Sequence, residues 1–210
     1  KEIKATKSPL DFALFVAFFP QLVAGPIVRA SAFLPQLTKD VRIAFDQTTF
    51  FLILRGMAKK LLIADNLAVI IDPVFSSPGS WPSIIILTAT VAFAIQIYCD
   101  FSGYSDIAIG IARVLGFKLP LNFNHPYFAR NPSDFWRRWH ISLSSWLRDY
   151  LYISLGGNRH SPLATYRNLL ITMLLGGLWH GASWNFLIWG LLHGFILITH
   201  RVYVGMRKKA

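Results

Sequence analysis

Residues 168–200 read NLLITMLLGGLWHGASWNFLIWGLLHGFILITH, about 33 residues without a single Asp, Glu, Lys or Arg. A helix of about 20 apolar residues is enough to cross a bilayer. The run is too long for one ordinary span and too short for two. Gly176, Gly177 and Gly181 surround His180. Glycine gives up the most backbone freedom on entering a helix, so the helix is weakest there. A half-helix, a break and a full helix is the expected arrangement. Working outward, residues 76–99 (about 24) and 12–28 (about 17) are also free of charge. Three such stretches in 210 residues read as an all-α integral membrane protein.

The composition agrees. The chain is 54% hydrophobic and 15% charged, where a soluble domain carries about a quarter charged residues. The net charge is +11, and seven of the 21 basic residues fall within residues 113–159. An excess of this size suits nucleic acid or a membrane surface. Here the cations sit in loops between apolar stretches, the pattern of cytoplasmic loops beside anionic lipid, so no nucleic acid partner is expected. Cys99 is the one cysteine, which excludes an internal disulfide and reads as a small buried apolar residue. The opening KEIKATKSP is polar and lacks a signal-peptide pattern. It reads as a loop within a longer chain, with residues 1–210 forming a portion of its core.

Residues 12–28 are interrupted by Pro20, Gly25 and Pro26, which predicts a bent or re-entrant segment. Residues 48–71 are helical in composition but carry Arg55, Lys59 and Lys60 midway. Arg55 and Lys59 are four apart and share a face, so the segment is an interfacial helix or a span with a polar seam. Residues 84–98 form a membrane helix that runs into CDFSGYSDIAIGIARVLGF, leaving Asp100 and Asp106 between two apolar pieces. In the polar middle, Asn131 is a cap, Pro132 suits the first helical position, and Asp134 can reach back from the third. One amphipathic helix is expected from there to Gly156–Gly157. It carries Trp136, His140, Leu143, Leu147 and Leu151 on its apolar face.

His180 is the first candidate for chemistry. An ionisable group inside a membrane stretch is costly and marks function by default, and low polarity favours the neutral imidazole that accepts a proton. Its structural alternative is a histidine that hydrogen-bonds a neighbouring helix. His140, beside Trp136 and Trp139, is the second, and two histidines could share one cavity. Asp100, Tyr104 and Asp106 either orient a catalytic group or cap a helix end and pair with Arg113 or another loop cation. His125, His160, His193 and His200 read as packing or interfacial residues, with His193 and His200 on one face of the last helix. Most tryptophans, Trp179 included, read as belt or packing residues. HExxH, paired cysteines and an acidic cluster are all missing from the sequence, so no metal site is expected. A nucleophile elbow is missing too.

The strings FFPQLVAGPIVRASAFLPQL, YCDFSGYSDIAIGIARVLGF, NFNHPYFARNPSDFWRRWHISLSSWLRDYLYISLGGNR and GGLWHGASWNFLIWGLLHG closely resemble the membrane-bound O-acyltransferase family, in its bacterial alginate O-acetyltransferase branch. The resemblance implies a ring of membrane helices around a central tunnel, larger than this chain. It puts the family's catalytic histidine on His180 and its second functional histidine on His140. Trp179, Asp106, Tyr104 and Asp100 are supporting candidates. It implies transfer of an acetyl or acyl group to a hydroxyl of an exported polysaccharide or a periplasmic partner protein. His180 would be general base, and His140 would orient the substrate or steady the oxyanion. The donor would be acetyl-CoA or another acyl thioester met on the cytoplasmic side, with no bound cofactor. The setting would be the bacterial inner membrane, crossed several times. Peptidoglycan O-acetylation and D-alanyl transfer to teichoic acid are the neighbouring alternatives. From other classes, a haem protein ligated by His180 and His193, about four helical turns apart, and a transporter are the competing readings.

Overall fold

A computed structural model of the chain describes residues 6–22, 25–39, 43 and 45–207. Among the described residues every regular element is helical. The chain divides into two units, Lys1–Asn122 and Phe123–Ala210.

In the first unit, Ser8 caps α1 (Pro9–Ala17) by accepting from the Asp11 N–H, and Pro9 fills the first position. The helix breaks at Phe18, whose backbone is extended, and resumes as α2 (Phe19–Leu22), so the stretch is bent as its prolines predict. Phe18 turns inward at the break. It meets Phe33 of α3 (Ala30–Leu37) at 4.8 Å and Phe117 at 5.0 Å, while Phe33 and Phe117 stack at 5.1 Å. Ile109, Ala112 and Leu119 complete this core.

The remainder of the unit is a helix pair. One arm is α4 (Gln47–Met57), a π-helical segment (Ala58–Ala64) and α5 (Asp65–Ser76). The other is α6 (Ser83–Val114), 32 residues without a break. The sequence reading placed a helix end near Asp100 and Asp106, and the structure overturns it. The polar residues lie inside α6 because each carboxylate meets a cation of the opposite arm. Gly56 and Gly103 let the backbones touch: a Cβ on Gly56 would lie 2.6 Å from the Gly103 carbonyl oxygen.

In the second unit, α7 (Pro132–Arg138) starts as expected, with the Asn131 side chain accepting from the Asp134 N–H at 2.9 Å. The Asp134 carboxylate reaches one residue further back than anticipated, accepting from the Arg130 N–H. The single amphipathic helix does not form. It breaks at Trp139, which is extended, and His140, which is left-handed at φ 42°. α8 (Ile141–Leu147) then runs into a π-helical turn, Arg148–Tyr152. A left-handed conformation costs a non-glycine residue about 1–2 kcal/mol. Burial of the His140 ring, 4% exposed, compensates. The chain does turn at Gly156–Gly157, both left-handed. Asn168, fully buried, fastens that turn by donating to the carbonyls of Leu155 and Gly157 at 3.0 Å each.

α9 (Pro162–His180), capped by Ser161, and α10 (Trp184–Arg207) form an antiparallel hairpin. The break falls after His180, not before it, and both arms are full helices, because Gly176 and Gly177 serve packing. A Cβ on Gly177 would lie 2.3 Å from the Phe186 carbonyl oxygen, and one on Gly190 2.6 Å from that of Met173. Gly194 faces Leu170 in the same way. Gly190→Ala is expected to force the helices apart and to destabilise the fold by about 1–3 kcal/mol, as overpacking does. A lowered thermal midpoint of the detergent-solubilised protein checks this, and an unchanged midpoint contradicts it.

Candidate active site

His180 ends α9, where the hairpin turn begins. Its ring is exposed along one side and otherwise held by aromatic rings: Trp179 at 5.1 Å, Trp189 at 5.4 Å and Phe186 stacked at 5.7 Å. On Trp189 also packs His193, at 4.5 Å, and His193 in turn meets Trp136 of α7 at 5.1 Å. The turn between α9 and α10 thus brings His180 and His193 to one indole. The four-turn separation assumed for haem ligation required one continuous helix and is not present. One turn further along α10 than residue 196, His200 shares a hydrogen bond of 3.2 Å with the Ser133 hydroxyl, so His193 and His200 do share a face, turned toward α7.

His140 lies near this cluster but is placed differently. Its ring is stacked at 6.4 Å on Phe123 and T-shaped at 6.3 Å to Trp179, the residue that adjoins His180. Burial, and secondarily the facing His180, pull the His140 imidazole down to about 4. It is neutral throughout the physiological range. The unfolded chain binds this proton near pH 6.5 and the folded one near 4, so the contribution to stability is complete above about 6.5 and lost as pH falls toward 4. Unfolding measured across that window is expected to show this loss, and His140→Gln is expected to flatten the curve.

The cleft beside His180 has a volume of about 240 Å³. Leu143, Leu147, Met173 and Gly176 make its apolar wall, Trp136 and Trp189 flank His180 at one end, and Arg148 and Arg201 lie among the lining residues. Trp136, Leu143 and Leu147 are members of the apolar stripe read from the sequence. His140 is not among the lining residues, so the two histidines are joined through Trp179 and do not share this cleft. The arrangement suits proton abstraction by a neutral imidazole in a largely apolar, aromatic-walled space.

The polar residues of α6 belong to the first unit. Asp106, 8% exposed in its side chain, accepts from Arg55 through Nε at 3.0 Å and Nη2 at 2.9 Å, and from Lys59 Nζ at 2.8 Å. Lys60 Nζ reaches Asp100 and Asp65, each at 2.7 Å. The partners are cations of the opposite helical arm, not Arg113 or a loop. Residues 48–71 are therefore a helix with a polar seam. Tyr104 is 36% exposed on the same helix.

Among the described residues, α6 and α10 are long and apolar enough to cross a membrane, and the stretch 12–28 is not, being broken at Phe18. Over residues 1–210 the chain matches the membrane-bound O-acyltransferase family. It belongs to that family. As a membrane-bound O-acyltransferase family member it is a membrane protein, and its two longest helices fit that setting. It is 49% identical over 204 residues to a peptidoglycan O-acetyltransferase of Helicobacter pylori, covering 95% of this chain and 39% of the relative. It is 50% identical over 203 residues to a "probable alginate O-acetylase AlgI" of Azotobacter vinelandii, covering 94% and 40%. It is 30% identical over 209 residues to a teichoic acid D-alanyltransferase of Bacillus subtilis, covering 93% and 52%. The chain spans about two fifths of the length of the O-acetylating relatives.

Sequence reasoning singled out His180, His140 and Trp179, which the structure brings together in one aromatic cluster. Trp189 read as a belt or packing residue, and His193 as a packing residue or a haem ligand, so neither was placed beside His180 in a site for acyl transfer. Their spacing of four residues, with His200 seven further on, placed them on one face of the last helix, but nothing local says that the face meets α7 and His180.

Proposed function

We propose that the chain carries the acyl-transfer site of an O-acetyltransferase of the bacterial inner membrane, which moves acetyl from a thioester to a hydroxyl of an exported polysaccharide. The observation that carries the reading is His180, open to an aromatic-walled cleft at a helix break, in a member of this family. The neutral imidazole takes the proton of the acceptor hydroxyl as its oxygen attacks the thioester carbonyl. The tetrahedral intermediate collapses, and the thiolate leaves with the proton returned by the imidazolium. No redox step or bound cofactor is needed for this chemistry. His140 acts as a positioning residue, bracing Trp179 and so His180, because its buried ring does not line the cleft. Trp179 is the brace between them. Asp106, Asp100 and Tyr104 shape the helix pair of the first unit.

The charge pattern supports a topology. Arg159 and Arg167 stand at the start of α9, and Arg201 and Arg207 at the end of α10. The positive-inside rule puts this open end of the hairpin on the cytoplasmic side and the turn after His180 toward the other. Thioester then arrives from the cytoplasm and the acceptor from the periplasm. The many large apolar side chains exposed on α6 and α10 suit lipid or further helices of a ring around a tunnel.

Acetyl is favoured over D-alanyl by the higher identity to the O-acetylating relatives, whose names give two different glycans at nearly the same identity. The test is to express the full-length gene and measure ester-linked acetate and ester-linked D-alanine on exported glycans. Added acetate identifies the donor group and the glycan that carries it. D-alanine esters without acetate would replace this reading by D-alanyl transfer, and neither ester would overturn it.

A further inference from the structure

The first unit holds a cavity of about 490 Å³ that the chemistry at His180 does not use. Thr48, Phe51 and Arg55 line it from α4, and Asp106, Ile109 and Arg113 from α6. Both sets recur at spacings of three and four, so each is one helix face, and the cavity is the groove between them. At 32 residues α6 is about 48 Å long, and a hydrocarbon core is about 30 Å thick, so one end of the helix must leave it. Residues 83–99 carry no charge, whereas Asp100, Asp106 and Arg113 all fall in the second half of the helix. The cavity therefore lies toward the end that meets the headgroups.

The charges around this cavity do not cancel. Arg55 donates to Asp106 through Nε and Nη2, and Lys59 adds a further bond to the same carboxylate. A guanidinium has five N–H donors, so Arg55, with its side chain 58% exposed, keeps three to offer. Arg113 is exposed on the last turn of α6 and has no hydrogen-bond or ion-pair partner among the described residues. Asp46 is close enough to feel the charge of Arg113, but its carboxylate is held at the start of α4, where it accepts from the Thr49 N–H at 2.7 Å. Against Asp106 and Asp46 stand Arg55, Lys59 and Arg113, which leaves a positive charge in excess. Beside it, Phe51 and Leu54 of α4 are large apolar side chains left exposed.

We propose that this cavity binds the phosphate of an anionic phospholipid through Arg113 and the remaining N–H groups of Arg55, with the Thr48 hydroxyl as a further donor. The planar fork of a guanidinium is well shaped for phosphate oxygens. A soluble anion would need the cations alone. A lipid needs cations at headgroup level with apolar surface running from them toward the hydrocarbon, and this groove has both, since Phe51 and Ile109 share its wall with the two arginines. Basic pockets between membrane helices are a recurring setting for acidic headgroups. The inference is independent of catalysis at His180 and concerns what holds this helix pair at the membrane surface.

The full-length protein in an uncharged detergent is titrated with phosphatidylglycerol and with phosphatidylcholine of the same acyl chains, and the first lipid bound is followed by native mass spectrometry. The wild type is expected to prefer phosphatidylglycerol by about tenfold, and Arg113→Ala to weaken that lipid about fivefold, the effect of one cation beside an anionic lipid. Phosphatidylcholine, whose own choline offsets its phosphate, is expected to lose less. Arg113→Lys is expected to recover most of the affinity, and Arg159→Ala, a cation of the other unit, to leave it unchanged. Equal affinity of the wild type for the two lipids overturns the proposal without recourse to any variant. A loss in Arg113→Ala that falls equally on both lipids overturns it, and so does an equal loss in Arg159→Ala, which would be surface charge acting at no particular site. Glycerol phosphate, which carries the phosphate without the chains, is expected not to displace bound phosphatidylglycerol at the same concentration. Displacement would replace the lipid by a free phosphate ester.

Discussion

Replacing His180 by alanine is expected to lower kcat for acyl transfer about 10²- to 10⁴-fold, the range that a positioned general base supplies. KM for the thioester is expected to change little, since the base acts on the acceptor's proton in the transition state and not on the bound donor. The enzyme to be tested is the full-length protein at matched membrane abundance, with acetate transfer as the readout. His140→Ala is expected to give a smaller loss, because its ring reaches the site through Trp179 at 6.3 Å. If the two act as one unit, the double variant is no worse than His180→Ala alone, since neighbouring residues in one assembly do not add. An unaltered rate in His180→Ala would make His180 a packing residue of the aromatic cluster and move the search for the base to His193, which packs on the same indole.

The second large effect is on stability. Asp106→Ala leaves Arg55 and Lys59 facing each other without the buried carboxylate that they share. Breaking a buried ion pair by removing one partner costs about 3–5 kcal/mol. The low end is expected here, because the Arg55 side chain is 58% exposed and water screens its share. Lys59, at 20%, is the partner left most exposed to the loss. Thermal unfolding in detergent should show the drop, and Arg55→Ala should cost much less than Asp106→Ala. Replacing Lys59 and Asp106 together by Met and Leu should recover most of the loss, because an apolar pair of similar volume removes both desolvation costs. A neutral Asp106→Ala would mean that the seam is hydrated in the assembled membrane protein.

The asymmetry between these two sites shows what each level of structure contributes. His180 was legible because its cost is local: an ionisable ring within about 33 uncharged residues needs an explanation wherever the chain goes. The cap at Asn131, the bend after Ala17 and the turn at Gly156–Gly157 depend on neighbours within a few positions, so the sequence carries them openly. The helical membrane class follows in the same way from runs of apolar residues.

The break at Trp139–His140 and the seam at Asp106 are different. Periodicity reads the segment after Pro132 as one amphipathic helix, and a local rule has no reason to place His140 in the left-handed region. The reason is distant, since the ring is buried against Phe123 and Trp179, and that burial offsets the backbone cost. Asp106 finds its cations 47 and 51 positions away, a separation that leaves no trace in the residues around it. The glycines beside His180 looked like a weakness in one helix and prove to be the contact surface of two. By itself the sequence determined an all-helical membrane protein with a histidine where charge is costly. Only the tertiary structure decided which rings surround that histidine, which carboxylates are neutralised, and where a cleft opens beside it, because those depend on side chains that meet only when distant helices pack.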